Sequence, residues 1–195
     1  SPLAANLYFS VLHRFDRPMA SLGGLSLVAG VALAEALRAR GFDAVGLKWP
    51  NDLLAHGRKL GGLLVDLAGE SGGPVTAILG VGLNVRMPAG AAAGIDQAWI
   101  DLASLGAPGS RSDLAAALLA ALWEAMDEFE AAGLAPFLPR WSALDTLAGA
   151  EVRLVAGGQM IEGVAQGIAA DGSLRLRLAD GSERLCHGGE LGLRR

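Results

Sequence analysis

The sequence predicts an α+β fold: a mixed sheet flanked by helices, followed by a small C-terminal β-barrel. Residues 1–147 carry several strand-like runs together with two long helical periodicities, at Ala20–Arg40 and Asp113–Ala132. From Glu151 to Arg195 the helical period disappears. Short alternating runs there are cut by Gly157-Gly158, Asp171-Gly172 and Asp180-Gly181, the turn chemistry of antiparallel hairpins. A terminal unit of residues 148–195 is too short to bury a large core alone and is expected to lean on the first unit, residues 1–147.

The elements follow in order. Asn6–His13 is rich in β-formers and reads as a strand, with Asn6, Tyr8 and Ser10 on one face and Leu7 and Phe9 on the other. In Ala20–Arg40, Leu22, Leu25, Val28, Ala32 and Ala36 build an apolar stripe, and Gly41 is placed to end the helix. Val45–Trp49 is a short strand stopped by Pro50-Asn51-Asp52, a turn signal. Leu53–Ala55, a His56-Gly57 turn and Lys59–Leu67 read as a hairpin, and Pro74–Val85 as a buried central strand with little charge. Pro88–Gly94 reads as a mobile loop leading towards Trp99. Ser110 and Ser112 are candidate caps for the helix at Asp113–Ala132, which Gly133 follows.

Composition narrows the function classes. The 195 residues are 52% apolar and 18% charged, as in a folded globular protein. A net charge of −4 gives no electrostatic footprint for nucleic acid. The one cysteine, Cys186, cannot form an internal disulfide, and the three histidines (His13, His56, His187) have no metal-ligand spacing. The longest uncharged stretch, Pro18 to Ala34, is short for a membrane span and lacks signal-peptide features, so a cytoplasmic enzyme is the expectation.

Residue usage points to one region. Only two of the 16 basic residues are lysine, Lys48 and Lys59, in a chain that otherwise uses arginine. Asparagine occurs three times (Asn6, Asn51, Asn84) and tyrosine once, at Tyr8. Both lysines and Asn51 fall in Lys48–Leu64. A lysine there can present a compact positive charge to carboxylate or phosphate, Asp52 has the hard oxygens that suit Mg²⁺, and Gly61-Gly62 lets a ligand or backbone approach a strand closely. On spacing alone the segment reads rather as a surface hairpin with a Pro-Asn-Asp turn and a solvated lysine. Gly80-Val81-Gly82-Leu83-Asn84 repeats the pattern of glycines inside a strand, but it is neither a dinucleotide fingerprint nor a P-loop. Tyr8 and Ser10 suit a pocket wall or a solvent-facing edge strand.

Taken together, SPLAANLYFS, GLSLVAGVALAEAL, KWPNDLL, GRKLGGLLVD, ILGVGLNV, the loop reaching Trp99, GLAPFLPRW and GGELGLR resemble the biotin protein ligases (biotin–acetyl-CoA-carboxylase ligases) over nearly the whole chain. The resemblance implies a class II synthetase-like catalytic unit with an SH3-like terminal barrel. It implies ATP and biotin as substrates with Mg²⁺, a biotinyl-AMP intermediate, and transfer to a lysine of biotin carboxyl carrier protein. By motif, Lys59 resembles the lysine that meets the biotin carboxyl and the α-phosphate. Tyr8, Ser10, Gly62, Leu63, Gly80 and Leu83 resemble the biotin pocket. Asn51, Asp52 and Asn84 resemble the nucleotide and metal side, Trp99 the aromatic beside the adenine loop, and Lys48 a phosphate contact.

The family's SPFGANLY reads SPLAANLY here, and its Gly-Arg-Gly-Arg-type loop precedes the segment corresponding to Ser1. A catalytic unit missing its front, with part of its biotin site, is therefore expected. An inactive remnant that only binds ATP, biotin or a partner, or that pairs as a homodimer through its sheet, is the competing expectation. A lipoate-ligase-type acyl-carrier enzyme is a further one, which KWPND, GVGLN and the terminal barrel disfavour.

Overall fold

The computed structural model describes residues 6–69, 73–88 and 97–193. Beyond Pro88, the loop expected at Pro88–Gly94 lies outside the described residues. Strand β1 (Leu7–Phe15) alternates as its sequence predicts: Val11 and Phe15 are buried, while Tyr8, Ser10, Leu12 and Arg14 are exposed. Helix α1 (Leu25–Arg38) starts later than its period suggested. Gly24 has a left-handed φ of 83°, and a Cβ there would come within 2.7 Å of Leu134. The Gly23-Gly24 pair thus separates a 3-10 turn at Met19–Leu22 from the helix proper. Met19–Arg38 is long and apolar enough, by length and composition, to cross a membrane. In this fold, however, Val28, Ala29, Val31, Ala34 and Leu37 of α1 are fully buried in the protein core.

Four further strands complete the first sheet: β2 (Val45–Lys48), β3 (Asp52–Ala55), β4 (Arg58–Gly69) and β5 (Val75–Leu83), in the order β1-β5-β4-β3-β2. Every strand pair is antiparallel, which corrects the expected mixed sheet. Consecutive strands from β2 to β5 are joined by short connections, and short connections make antiparallel neighbours. Parallel pairing among the described residues is confined to isolated bridges, Leu47 with Asp145 and Lys59 with Trp99.

One irregularity in this sheet matters more than the rest. Asp52 pairs with Gly62 and Leu53 with Gly61, but Leu54 pairs with Lys59, so β4 carries a bulge at Leu60. Without the extra residue Lys59 would lie opposite Ala55, on the face of Leu53 and the core. The bulge moves it opposite Leu54, onto the face of Asp52 and Gly62. A bulge commonly re-aims a side chain in this way.

Helices α3 (Arg111–Ala132) and α4 (Phe137–Leu144) pack with α1 on the core side of the sheet, through Leu118, Leu122, Met126 and Phe129 and through Phe137 and Trp141. Ser110 caps α3 by accepting from the Asp113 amide. The four-residue helix α2 (Leu102–Leu105) is too short to leave a period in the sequence. The second sheet comprises β6 (Glu151–Ala156), β7 (Gln159–Ile168), β8 (Leu174–Arg177), β9 (Glu183–Cys186) and β10 (Glu190–Leu193), all antiparallel, in the order β10-β6-β7-β8-β9. Its three foreseen turns are present, with Asp171 and Asp180 each accepting from a serine two residues on. A fourth reversal, at Gly188-Gly189, precedes β10.

Gly61 tests the close approach beside the bulge. A Cβ there would lie 2.5 Å from the Gly82 carbonyl oxygen, so Gly61→Ala must part β4 from β5. Gly61→Ala is expected to cost about 1–3 kcal/mol in denaturant unfolding. Gly192→Ala, which meets nothing within 4 Å, is expected to stay within about 0.5 kcal/mol.

Candidate functional site

The registers of the first sheet align one residue from each strand into a single row on the face away from the helices. Tyr8 of β1 pairs with Gly82 of β5, Gly82 with Gly62 of β4, Gly62 with Asp52 of β3, and Asp52 with Lys48 of β2. A parallel row runs Ser10, Gly80, Leu64. The middle of both rows is therefore glycine, walled by the Tyr8 and Ser10 side chains at one end; at the other, the first row ends in the charged pair Asp52 and Lys48 and the second in exposed Leu64. A Cβ on Gly82 would come 3.3 Å from the Tyr8 ring, and one on Gly62 would stand 3.5 Å from the Lys59 side chain. Side chains at these glycines would fill the floor that the rows create.

The floor opens into a cleft of about 1190 Å³. Gly189, Glu190 and Leu191 of the second sheet form part of its wall. The two sheets are held in this arrangement partly by buried Trp49, whose indole N–H donates to the Gly172 carbonyl at 3.0 Å. The turn between β2 and β3 is thus tied to the second sheet at the same place where it borders the cleft.

Asp52 is the electrostatic centre. It is buried, with Lys48 Nζ 2.7 Å from Oδ2 and Lys59 Nζ 2.7 Å from Oδ1. Both lysines of the chain are therefore held by one carboxylate, and burial of that carboxylate requires such partners. This bears on the magnesium expected from the resemblance. Mg²⁺ needs hard oxygen donors, yet each Asp52 oxygen faces an ammonium, and the described residues contain no cluster of three His, Cys, Asp or Glu able to hold a metal. The donor set around Asp52 does not fit a resident magnesium ion.

Of the residues singled out from sequence, Tyr8, Ser10, Lys48, Asn51, Asp52, Lys59, Gly62, Leu63 and Gly80 all border the cleft. Leu63 does so through its main chain, since its side chain is buried in the core beneath Gly30. Asn51 is committed to the turn: its Nδ2 donates to the Leu63 carbonyl at 2.8 Å, while the Leu63 amide donates back to the Asn51 carbonyl at 2.9 Å.

Leu83, Asn84 and Trp99 do not line the cleft. Leu83 is a core residue, because strand alternation turns it away from the face of Gly82. Asn84 donates to the Ile100 carbonyl at 3.1 Å, and its main-chain amide donates to Leu60. Trp99 lies alongside Lys59 through its neighbours: the Lys59 amide donates to Ala98 and the Ile100 amide to Lys59. These residues brace the bulge that carries Lys59. Gly82, Trp49, Gln97 and Gly189–Leu191 also border the cleft, although the sequence assigns none of them a place in the site. Gly82 was legible as the second glycine of its strand; the others depend on tertiary placement.

Asp101 anchors the same brace. It accepts from the Met87 amide at 2.7 Å and from the Ser104 amide and hydroxyl. Burial raises its carboxyl pKa, but hydrogen bonds from Ser104 and Met87, with nearby Arg86, together hold it below the ordinary aspartate value. A depressed folded-state value contributes stability above the unfolded value and loses it as pH falls through the folded one. Asp101→Asn is accordingly expected to destabilise by about 1–3 kcal/mol at neutral pH. Urea unfolding as a function of pH should show that difference shrinking below about pH 4.

An α+β scaffold with a glycine floor, a lysine pair beside it and a second sheet closing one side presents a cleft whose positive end can meet a carboxylate or phosphate group. Sequence and structure comparisons agree with that chemistry. Residues 2–84 match the biotin/lipoate A/B protein ligase family, and residues 148–193 match the biotin protein ligase C-terminal domain. The bifunctional ligase/repressor BirA of Escherichia coli K12 is 42% identical over 194 residues, covering 100% of this chain and 60% of that protein. The biotin–[acetyl-CoA-carboxylase] ligase of Mycobacterium tuberculosis is 36% identical over 167 residues, covering 83% of this chain and 59% of its own length. The apo structure of biotin protein ligase from Aquifex aeolicus superimposes with a TM-score of 0.81 at 27% identity, covering 98% of this chain and 83% of that one. The same protein in complex with biotin and ATP matches with a TM-score of 0.79 at 26% identity, covering 98% and 79%. This chain belongs to the biotin protein ligase family. It spans about 60% of the length of the curated relatives it matches first.

Proposed function

We propose that the protein is a biotin–carrier ligase, which activates biotin with ATP and transfers it to a lysine of biotin carboxyl carrier protein, the acetyl-CoA carboxylase subunit. The observation that carries this reading is the row from Tyr8 across Gly82 and Gly62 to the Asp52–lysine cluster. It offers an uncharged, side-chain-free floor for a ring system and a positive group at its end for a carboxylate. The match of residues 148–193 to the biotin-specific C-terminal domain favours biotin over lipoate.

In the first step a biotin carboxylate oxygen attacks the α-phosphorus of ATP, the bond to the bridging oxygen breaks, and pyrophosphate leaves. In the second, the neutral amine of the carrier lysine attacks the acyl carbon. The bond to AMP then breaks, and the amide nitrogen releases a proton to solvent. Negative charge grows on the phosphoryl oxygens in the first step and on the acyl oxygen in the second. The Lys59 ammonium, aimed into the cleft by the bulge, stabilises that charge, the kind of preorganised contribution that dominates such transfers. Tyr8, Ser10, Gly62, Gly80 and the Leu63 main chain receive biotin. The turn at Asn51 borders the nucleotide side, and Glu190–Leu191 help to keep water from the mixed anhydride. Leu83, Asn84 and Trp99 serve by bracing this surface. A cytoplasmic setting supplies ATP and carrier. In a sheet-mediated homodimer, β1, an edge strand of the described sheet, would provide the pairing surface.

The test is biotin-dependent exchange between ATP and pyrophosphate, followed by biotin transfer to apo carrier protein, on this chain and on the product of its full reading frame. Exchange and transfer in either is the expected result, and absence of both in both overturns the reading. Lys59→Ala should lower exchange by about 100-fold or more, as loss of a charge-stabilising group does. Normal pyrophosphate exchange in that variant would remove Lys59 from the site.

A further inference from the structure

We propose that Asp52 and Lys48 are positioning residues for Lys59, the two ammonium groups sharing one carboxylate in a fixed three-membered cluster, rather than metal and phosphate ligands. The inference rests on the ligase reading for its catalytic consequence, but its structural content stands apart. The three residues come from three adjacent strands: Lys48 from β2, Asp52 from β3 and Lys59 from β4. Lys48 and Asp52 are cross-strand partners, and Lys59 reaches the same face only because of the bulge at Leu60.

The carboxylate divides its two oxygens between the two ammonium groups, at 2.7 Å each. Side-chain exposure rises along the series, from 10% at Asp52 through 18% at Lys48 to 31% at Lys59. Lys59 is thus the member presented to the cleft, and Lys48 is the member set deeper beside the carboxylate. The group carries two positive charges and one negative, so it keeps one positive charge with which to meet an anionic ligand.

Sharing has a consequence with a definite sign. If Asp52 paired with Lys59 alone, the two charges would cancel, and Lys59 would have to break a full ion pair to serve a ligand. Lys48 competes for the same carboxylate and weakens that hold. Lys48, which borders the cleft with less of its side chain exposed than Lys59, therefore acts on the position and availability of Lys59 through the shared carboxylate.

The chain's lysine content makes the test direct, because Lys48 and Lys59 are its only lysines. Trace acetylation with acetic anhydride, read by mass spectrometry, reports how readily each amine leaves its ion pair. Asp52→Asn is expected to raise Lys59 acetylation by about tenfold, equivalent to about 1.4 kcal/mol. Lys48→Met is expected to lower it several-fold, because Asp52 then holds Lys59 alone. Unchanged Lys59 labelling in Lys48→Met, with the fold intact by circular dichroism, overturns the proposal, as does a decrease in Asp52→Asn.

Labelling needs no catalysis, so it decides the coupling even if unaltered protein shows no biotin-dependent exchange, a result that counts against the ligase reading alone. Where exchange is present, Lys48→Met should lower kcat with the KM for ATP within about twofold, and Lys48→Arg should restore part of the loss. A raised KM for ATP at unchanged kcat would make Lys48 a direct phosphate contact and overturn its positioning role.

Discussion

A buried carboxylate between two ammonium groups sets the terms for the surface around it. Asp52 is largely buried at the edge of the cleft, and removing a charge from water is costly unless opposite charges and hydrogen bonds replace the lost hydration. Both lysines of the chain supply those replacements. To deliver the second lysine, β4 departs from regular pairing for one residue, and that departure is itself supported. Gly61 lets β4 and β5 approach, while Asn84 and the main chain of Ala98–Ile100 hold the bulge from its other side. A local electrostatic requirement is thereby distributed over three strands and a connecting segment.

The same row of residues explains the placement of the glycines. Gly62 and Gly82 are cross-strand partners, and Gly80 lies opposite Ser10 and Leu64. In isolation each glycine would weaken its strand, since it adds unfolded-chain entropy and no packing. Placed side by side they make a continuous floor, and the sheet tolerates them because its opposite face is covered by α1 and its companions. The second sheet then adds a wall through Gly189–Leu191, and the Trp49 indole ties the two units at the turn that carries Asn51.

Much of this was legible in the sequence, and the gaps have physical causes. Strand alternation at Tyr8 and Ser10, the caps of α3 and the turn aspartates of the second sheet are local, and local chemistry determined them. The unusual retention of Lys48 and Lys59 in an arginine-rich chain pointed correctly to the cleft. The family resemblance was supported by the matches over residues 2–84 and 148–193. Sequence could not show that Asp52 binds both lysines, because the pairing depends on a one-residue register shift. Asn84 and Trp99, expected on the nucleotide side, brace the bulge and do not border the cleft, while Leu83, expected in the biotin pocket, is turned into the core by strand alternation. The wall from Gly189–Leu191 is a tertiary contact, which the motif GGELGLR does not reveal, and helix α2 is shorter than the period that would reveal it. The antiparallel character of the first sheet follows from the short connections between β2 and β5, which a mixed sheet would not allow.

The central claim is that the cleft beside Asp52 binds the activated acyl group and that Lys59 faces the reacting atoms. A crystal structure with a non-hydrolysable analogue of biotinyl-AMP tests this most directly. The account predicts the bicyclic ring over Gly62 and Gly80 beside Tyr8, with the acyl-phosphate linkage about 3 Å from Lys59 Nζ, the distance of a charge-assisted hydrogen bond. An analogue bound outside this cleft, or bound within it with the linkage remote from Lys59, would contradict it.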